Sequence, residues 1–193
     1  MSTAPAGIPA ERARRVRLVV LDVDGVLTDG GLYVGEDAEG RRVEFKRFDI
    51  QDGLGIKMLQ WAALEVAVVS GRLSGATAQR ARELGIAEVH QDARARKLPI
   101  VEELLQRRGL TWEALAVVGD DLADLPLLRR AGLAVAVKNA VPEVASVCHW
   151  TTPVPGGSGA VRAFARALLL ARGDWDELVE RYERDRSGQE ELL

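Results

Sequence analysis

Short apolar runs rich in β-branched residues recur along this chain, and most are followed by segments whose apolar residues fall at helical spacing. Val16 to Leu21 is such a run; it leads into Asp22 and reads as a buried strand. Leu32-Tyr33-Val34 and Val43-Glu44-Phe45 alternate around a polar Gly35-to-Gly40 turn, which predicts a β-hairpin with a longer loop than the tightest hairpins use. After Asp52-Gly53, Leu54, Met58, Leu59 and Ala62 keep to one helical face. Val66 to Val69 is a second buried strand, ending at Ser70-Gly71. A helix from Ser74 to Leu84 is expected to stop at Gly85, and one from Lys97 to Arg108 at Gly109. Between them Ala87-Glu88-Val89 is a short third strand. Leu115 to Val118 is a fourth, running into Gly119-Asp120-Asp121, and Leu133 to Val137 a fifth, after a short helix holding Leu125, Leu127 and Leu128. Ala160 to Ala171 reads as an apolar helix after the glycine-rich stretch Pro155 to Gly159. Asp174 is placed to cap one more helix, with Asp176 and Glu177 in its first turn.

Buried strands alternating with helices predict an α/β fold: a doubly wound, Rossmann-like parallel sheet covered on both faces, with the hairpin as a small flap. Three segments follow from this reading. Residues 1–15 carry Pro5, Pro9 and several arginines and read as a flexible arm without the apolar stretch of a secretory signal. Residues 16–173 form the domain, and residues 174–193 a helical tail.

Composition narrows the function classes. A net charge of -3 gives no electrostatic case for nucleic acid or an anionic membrane as partner. No apolar run approaches the roughly 18–20 residues that cross a bilayer. Cys148 is the single cysteine, so no internal disulfide can form; the expectation is a buried, inert thiol and a cytoplasmic location. His90 and His149 stand outside every motif and read as structural; the four tryptophans show no stacking pattern for bases.

The chemistry lies in where the carboxylates fall. Asp22 and Asp24 follow the first strand, and Asp120 and Asp121 follow the fourth. Ligands of open α/β sheets bind outside the carboxyl ends of the strands. Asp22 and Asp24, two apart, leave an extended chain on the same side, and Gly25 then permits a sharp turn. Asp120 and Asp124 can share a face at a helix start. Either pair alone reads as well as a turn or a helix cap. Together, with Ser70 and Lys97 between them, they point to anions converging on a cation. Mg²⁺ favours one or two carboxylates, water and a substrate phosphate, and Asp22, the backbone carbonyl of Asp24, and Asp120 suit it. An EF-hand loop does not, because glycine here directly follows the second aspartate.

These residues carry a family pattern. Asp22-Val23-Asp24-Gly25-Val26-Leu27-Thr28-Asp29-Gly30 resembles the first motif of haloacid dehalogenase-type phosphatases. Ser70-Gly71-Arg72 resembles the second, Lys97 the third, and Gly119-Asp120-Asp121-Leu122-Ala123-Asp124 the fourth. With no room for a large cap domain, and with Asp52-Gly53-Leu54-Gly55 and Gly156-Gly157-Ser158-Gly159-Ala160-Val161-Arg162, the chain resembles the capless branch acting on 3-deoxy-D-manno-octulosonate 8-phosphate and on nonulosonate phosphates. The resemblance spans Val16 to Arg172.

The resemblance implies a Mg²⁺-dependent phosphatase of a lipopolysaccharide sugar pathway and a homotetramer built through the hairpins. Asp22 would be the nucleophile, forming an aspartyl phosphate, and Asp24 the general acid and base. Ser70, Gly71 and Lys97 would bind the phosphoryl oxygens, and Asp121 and Asp124 would orient the metal site and Lys97 from behind. Lys57, Arg72 and Arg80 match basic residues that contact the sugar acid. The chain departs from the branch at Gln51 and Ser158, where arginine is common, and at Ala163, where glutamate is common. These changes bear on specificity and leave the chemistry alone. Other readings are a phosphatase of the same fold for another small ester, or a catalytically silent oligomerisation or regulatory module. A phospho-accepting receiver fits poorly, since its acceptor aspartate ends a middle strand.

Overall fold

The computed structural model describes residues 7–187. A short helix α1 (Ala10–Arg15) leads into β1 (Leu18–Leu21); β2 (Tyr33–Glu36) and β3 (Arg42–Phe45) form the hairpin; α2 (Ile50–Trp61) and β4 (Glu65–Ser70) follow. Then come α3 (Gly75–Glu83), β5 (Glu88–Gln91), α4 (Lys97–Arg108) and β6 (Leu115–Gly119). The chain closes with α5 (Leu125–Leu128), β7 (Leu133–Ala136), α6 (Pro142–Ala145), β8 (Trp150–Thr151), α7 (Ala160–Arg172) and α8 (Trp175–Arg186).

The six-stranded sheet has the order β5-β4-β1-β6-β7-β8, and every pairing in it is parallel. Chain order therefore reverses between β1 and β6, the switch point where doubly wound sheets bind ligands. Leu21 pairs with Val118 there, so the chain leaves both strands at the same level. All four β1 residues are buried, because helices cover both faces of the sheet. One face packs Val19, Leu21, Val66 and Val68 against Ile56, Phe164 and Leu168 of α2 and α7. The other packs Leu18, Val20, Ala67 and Val69 against Leu104 and Leu128 of α4 and α5.

Local signals set the boundaries. Ser74 caps α3 by accepting the Thr77 N–H, and Gly109 ends α4 in the left-handed region. Asp49 accepts from Gln51 N and starts α2 earlier than the apolar spacing predicts, which puts Asp52 in the first turn. Asp174 stands at the N-cap of α8, but its carboxylate accepts from Arg172 Nε at 2.6 Å and makes no cap bond. Three elements escaped the sequence reading: α1, α6 and the two-residue β8.

The flexible arm expected over residues 1–15 is replaced, from Ala10, by α1. Ala13 and Ile8 are buried in the core and Arg172 Nη1 donates to Ala13 O, so apolar burial outweighs the arm's charge. Residues 1–6 of that arm and residues 188–193 of the expected tail lie outside the described residues. No described helix is long and apolar enough to cross a membrane.

Candidate active site

Asp22 is the first residue after β1, and its amide still donates to Val118 O of β6. The chain then folds into a tight loop. Buried Thr28 staples it: its hydroxyl donates to Val23 O at 3.2 Å and accepts from Gly30 N at 3.2 Å. Gly25 has φ +88°, and a Cβ there would lie 2.0 Å from Asp120 Oδ2. Glycine is thus required twice, by the backbone and by the approach of the second carboxylate. The glycine-rich tail closes the loop from the far side. Asn139 Nδ2 donates to Gly25 O and Asn139 Oδ1 accepts from Gly156 N, while a Cβ on Gly156 would meet Gly25 O at 1.8 Å.

Across the switch point, oxygens of Asp22, Asp120 and Asp124 lie within 4.8 Å of one another. Lys97, the buried first residue of α4, reaches in beside them. Its Nζ is 2.6 Å from Asp22 Oδ1 and 2.7 Å from Asp124 Oδ1. Asp124 Oδ2 accepts from the Asp120 amide at 3.1 Å. One lysine therefore faces three carboxylates. Burial, and then the charge of Asp124, push Asp22 up to about 6 against the pull of Lys97. Burial, and then Asp22 and Asp124, push Asp120 up to about 8. For Lys97 burial acts downward, but Asp22 and Asp124 outweigh it and the net direction is up.

This is an anionic centre short of positive charge. Asp120 Oδ1 is buried and takes no hydrogen bond. An all-oxygen donor set with an orphaned carboxylate oxygen suits a hard divalent cation, and the carboxylates gathered here to hold one are Asp22, Asp120 and Asp124.

Ser70 and Gly71, expected at the phosphate, stand at the end of the neighbouring strand β4. Ser70, at the end of β4, is buried; its Oγ accepts from Arg72 N at 3.2 Å and sits one strand from Asp22. A Cβ on Gly71 would lie 2.9 Å from Ala95 Cβ and 4.0 Å from Lys97 Cε, so glycine lets the α4 start close onto this loop.

Other expected residues fall elsewhere. Asp121 is exposed, and its carboxylate accepts from Leu122 N; it starts a turn and does not face Lys97. Asp124, expected behind the cluster, is part of it. Lys57 Nζ lies beside Gly85, which precedes β5 at the opposite end of the sheet, so it does not reach the site. Arg72 Nη2 donates to Glu44 Oε2 at 2.9 Å. Arg80 lines a cleft of about 330 Å³ with Glu44, Lys46 and Phe48, between the hairpin and α3. Gln51 lies near Gly159, Ser158 is exposed, and Ala163 borders an apolar groove with Arg166 and Trp150. His149 Nδ1 accepts from Ala134 N and His90 pairs with Glu88, both structural roles as expected.

The sequence reading missed Lys46. It follows β3, its side chain is 1% exposed, and its Nζ is 2.5 Å from Asp24 Oδ1. The only available signal was alternation along the hairpin, which puts Glu44 and Lys46 on one side and Phe45 on the other.

Comparison with known proteins agrees with this geometry. Residues 83–164 match the model of the haloacid dehalogenase-like hydrolases. The chain is 40% identical over 166 residues to the 3-deoxy-D-manno-octulosonate 8-phosphate phosphatase of Escherichia coli K12, covering 86% of each. The chain belongs to the haloacid dehalogenase-like hydrolases, in the branch of the 3-deoxy-D-manno-octulosonate 8-phosphate phosphatases. Two solved members of this phosphatase branch superpose on it. The Moraxella catarrhalis enzyme, in complex with magnesium, phosphate and KDO, gives a TM-score of 0.83 at 34% identity, with 90% of this chain and 97% of that one covered. The Yersinia pestis enzyme gives 0.81 at 35% identity, with 91% and 96% covered.

Proposed function

We propose that this chain is a Mg²⁺-dependent phosphomonoesterase that hydrolyses a small sugar-acid phosphate, with 3-deoxy-D-manno-octulosonate 8-phosphate the foremost substrate. The observation that carries the reading is the pairing of Lys97 with Asp22 beside the orphaned Asp120 carboxylate at the switch point. It supplies a held nucleophile and a cation site on the same few ångströms of sheet edge. The one activity named for the relatives from Escherichia coli, Moraxella catarrhalis and Yersinia pestis supports the substrate class.

Asp22 Oδ1 is held by Lys97, leaving its other oxygen to attack phosphorus in line. The new Asp22 O–P bond forms as the ester P–O bond breaks. Asp24 gives its proton to the departing sugar oxygen. Asp24 then takes a proton from a water molecule whose oxygen attacks the aspartyl phosphate, releasing inorganic phosphate and restoring Asp22. Ser70 and Lys97 hold equatorial phosphoryl oxygens, and Lys97 balances their charge. When bound, Mg²⁺ neutralises nucleophile and phosphate so that the two anions can meet. Arg80, in the cleft with Lys46, and Arg72, which donates to Glu44, are the candidate contacts for a sugar carboxylate.

The hairpin is proposed as the contact of a homotetramer. Its Tyr33, Val34 and Phe45 side chains are exposed at 48%, 54% and 67%, and paired strands with apolar exposed faces favour partners. A cytoplasmic location fits the lone thiol.

The test is phosphate release from a panel of sugar phosphates with and without Mg²⁺, beside Asp22→Asn. Mg²⁺-dependent preference for the octulosonate ester, absent in Asp22→Asn, is the expected result. Preference for a nonulosonate or another ester moves the substrate and keeps the chemistry. Full turnover by Asp22→Asn, or no turnover of any ester by a Mg²⁺-binding protein, overturns the reading, the latter in favour of a silent module.

A further inference from the structure

Buried lysines are costly unless paired, and a pair made at a reacting group invites a functional explanation. Lys46 is such a lysine, and no motif of the family reading includes it. Its ammonium has two acidic neighbours: Asp24 Oδ1 at 2.5 Å and Glu44 Oε1 at 3.9 Å. Glu44 is itself fixed from the other side, its Oε2 accepting from Arg72 Nη2 at 2.9 Å. Its buried Oε1 has no hydrogen-bond partner, so the lysine is committed to Asp24. Asp24 thereby has one oxygen clamped and one free.

Asp24 sits on a loop whose backbone is tied down on both sides, by the Thr28 hydroxyl at Val23 O and by the Asn139 amide at Gly25 O. None of these touches its carboxyl group. Among the described residues, the Lys46 ammonium is the one side-chain group bonded to it. Proton transfer needs donor and acceptor held within hydrogen-bond reach in a fixed orientation, and a carboxyl free to turn about its χ angles loses that.

Resting on the phosphatase reading above, we propose that Lys46 is a positioning residue for the Asp24 carboxyl. It holds Oδ1 so that Oδ2 presents its proton to the leaving oxygen as the ester bond breaks and the Asp22 O–P bond forms. The hairpin, placed as a flap, thus also delivers the residue that aims the acid. The Glu44–Arg72 pair fixes the strand that carries it.

The experiment compares esters whose leaving groups differ in their need for a proton. A sugar or simple alkyl phosphate needs one; p-nitrophenyl phosphate leaves as a stabilised anion. The value read is kcat/KM, which reports steps up to leaving-group departure. Lys46→Met keeps the side chain's length and removes the donor. It should lower kcat/KM for the alkyl ester by about 10–100-fold and for the aryl ester only by a few-fold. Competitive inhibition by inorganic phosphate should stay near the wild-type strength. Lys46→Gln retains an N–H donor and should recover part of the alkyl-ester loss. Asp24→Asn should show the same split, and Asp24→Asn/Lys46→Met should be no worse than Asp24→Asn alone, because the two side chains act as one unit. Equal losses on both esters, no loss on either, or losses that add in the double variant overturn the proposal. Should Lys46→Met lose its cooperative melting, Lys46→Gln carries the same comparison. These outcomes differ from failure of the functional reading, which shows as wild-type turnover that is absent or indifferent to Asp22→Asn and would take this proposal with it.

Discussion

Asp52 Oδ1, in the first turn of α2, accepts the backbone N–H of Arg162 at the start of α7 at 2.8 Å. The α7 N-cap is Gly159, which has no side chain to offer, so the cap comes from a neighbouring helix. The arrangement is compact: a Cβ on Gly55, one turn along, would lie 2.9 Å from Arg162 Cα. Asp52 is buried and its Oδ2 finds no partner.

Burial pushes Asp52 up to about 6, and the helix N–H groups only partly oppose it. A carboxyl raised in the folded state contributes stability that is fully present below its ordinary pKa of about 4 and is lost as pH rises through about 6. Asp52→Asn keeps the acceptor and cannot ionise. Its unfolding free energy should fall below wild type near pH 4 and gain on it by up to about 3 kcal/mol by pH 7. Asp52→Ala, which removes the cap, should cost about 1–2 kcal/mol. Urea melts of the three proteins at several pH values check this. A pH-independent difference between wild type and the Asn variant would show that the carboxyl is not titrating in that window.

Mg²⁺ should stabilise the fold as well as serve turnover, because it relieves the repulsion around Asp120. Thermal melts with Mg²⁺ at about 100 times its Kd should show a gain near 2.7 kcal/mol, reversed by EDTA. Gly25→Ala should abolish that gain, since its Cβ would occupy the place of Asp120 Oδ2, and should destabilise the metal-free protein by more than about 1 kcal/mol through its positive φ. An undiminished Mg²⁺ response in Gly25→Ala would remove Asp120 from the cation site.

Cys148 should be inert while the protein is folded. Burial, and then the charge of Asp124, push its thiol up to about 12, so at pH 8 the thiolate is scarcer than in a free cysteine by about three orders of magnitude. Labelling with a maleimide or disulfide reagent should be slow in buffer and fast in denaturant. Rapid stoichiometric labelling of the native protein would refute this.

At the β5 edge, Glu88 accepts from Arg108 Nη2 at 2.8 Å, and this bond, with His90 and Arg107, holds its carboxyl down to about 2. A lowered carboxyl contributes stability above its ordinary pKa that is lost as pH falls through about 2. The pair is open to solvent screening, so Glu88→Gln should cost under about 1 kcal/mol at pH 7, with the difference from wild type shrinking toward acid. Chemical denaturation at pH 7 and pH 3 measures it.

Much of this was legible from the chain alone, for a physical reason. Strands buried on both faces must be apolar throughout, so Val16–Leu21 and Leu115–Val118 stand out, and so do the aspartates that end them. The helices of the αβ units announced their stops through Gly85 and Gly109. What escaped was of two kinds. The elements β8 and α6 are too short to show a period. Lys46 and Asn139 act on residues distant in sequence, Asp24 and Gly25, and Thr28 acts within an irregular loop that has no period; each belongs to a residue type that is ordinarily solvent-exposed or conformationally neutral. Lys57 shows what charge alone leaves open: its type suits a sugar acid, but its place on α2 sets its ammonium beside Gly85, away from the aspartates of its own chain. Asp121 erred because adjacent residues at a turn point apart, so only one of two neighbouring aspartates can enter the cluster.

The parallel register of β1 and β6 has an implication for how such a protein can change. Asp22 and Asp120 are set by backbone hydrogen bonds between two buried central strands, where a slip of one residue would turn every side chain to the opposite face. Around them stand a surface hairpin, one end of α3 and a glycine-rich tail, none of which belongs to the central sheet. Gln51, Ser158 and Ala163 lie outside β1 and β6, so substitutions there leave the register that sets Asp22 against Asp120 untouched.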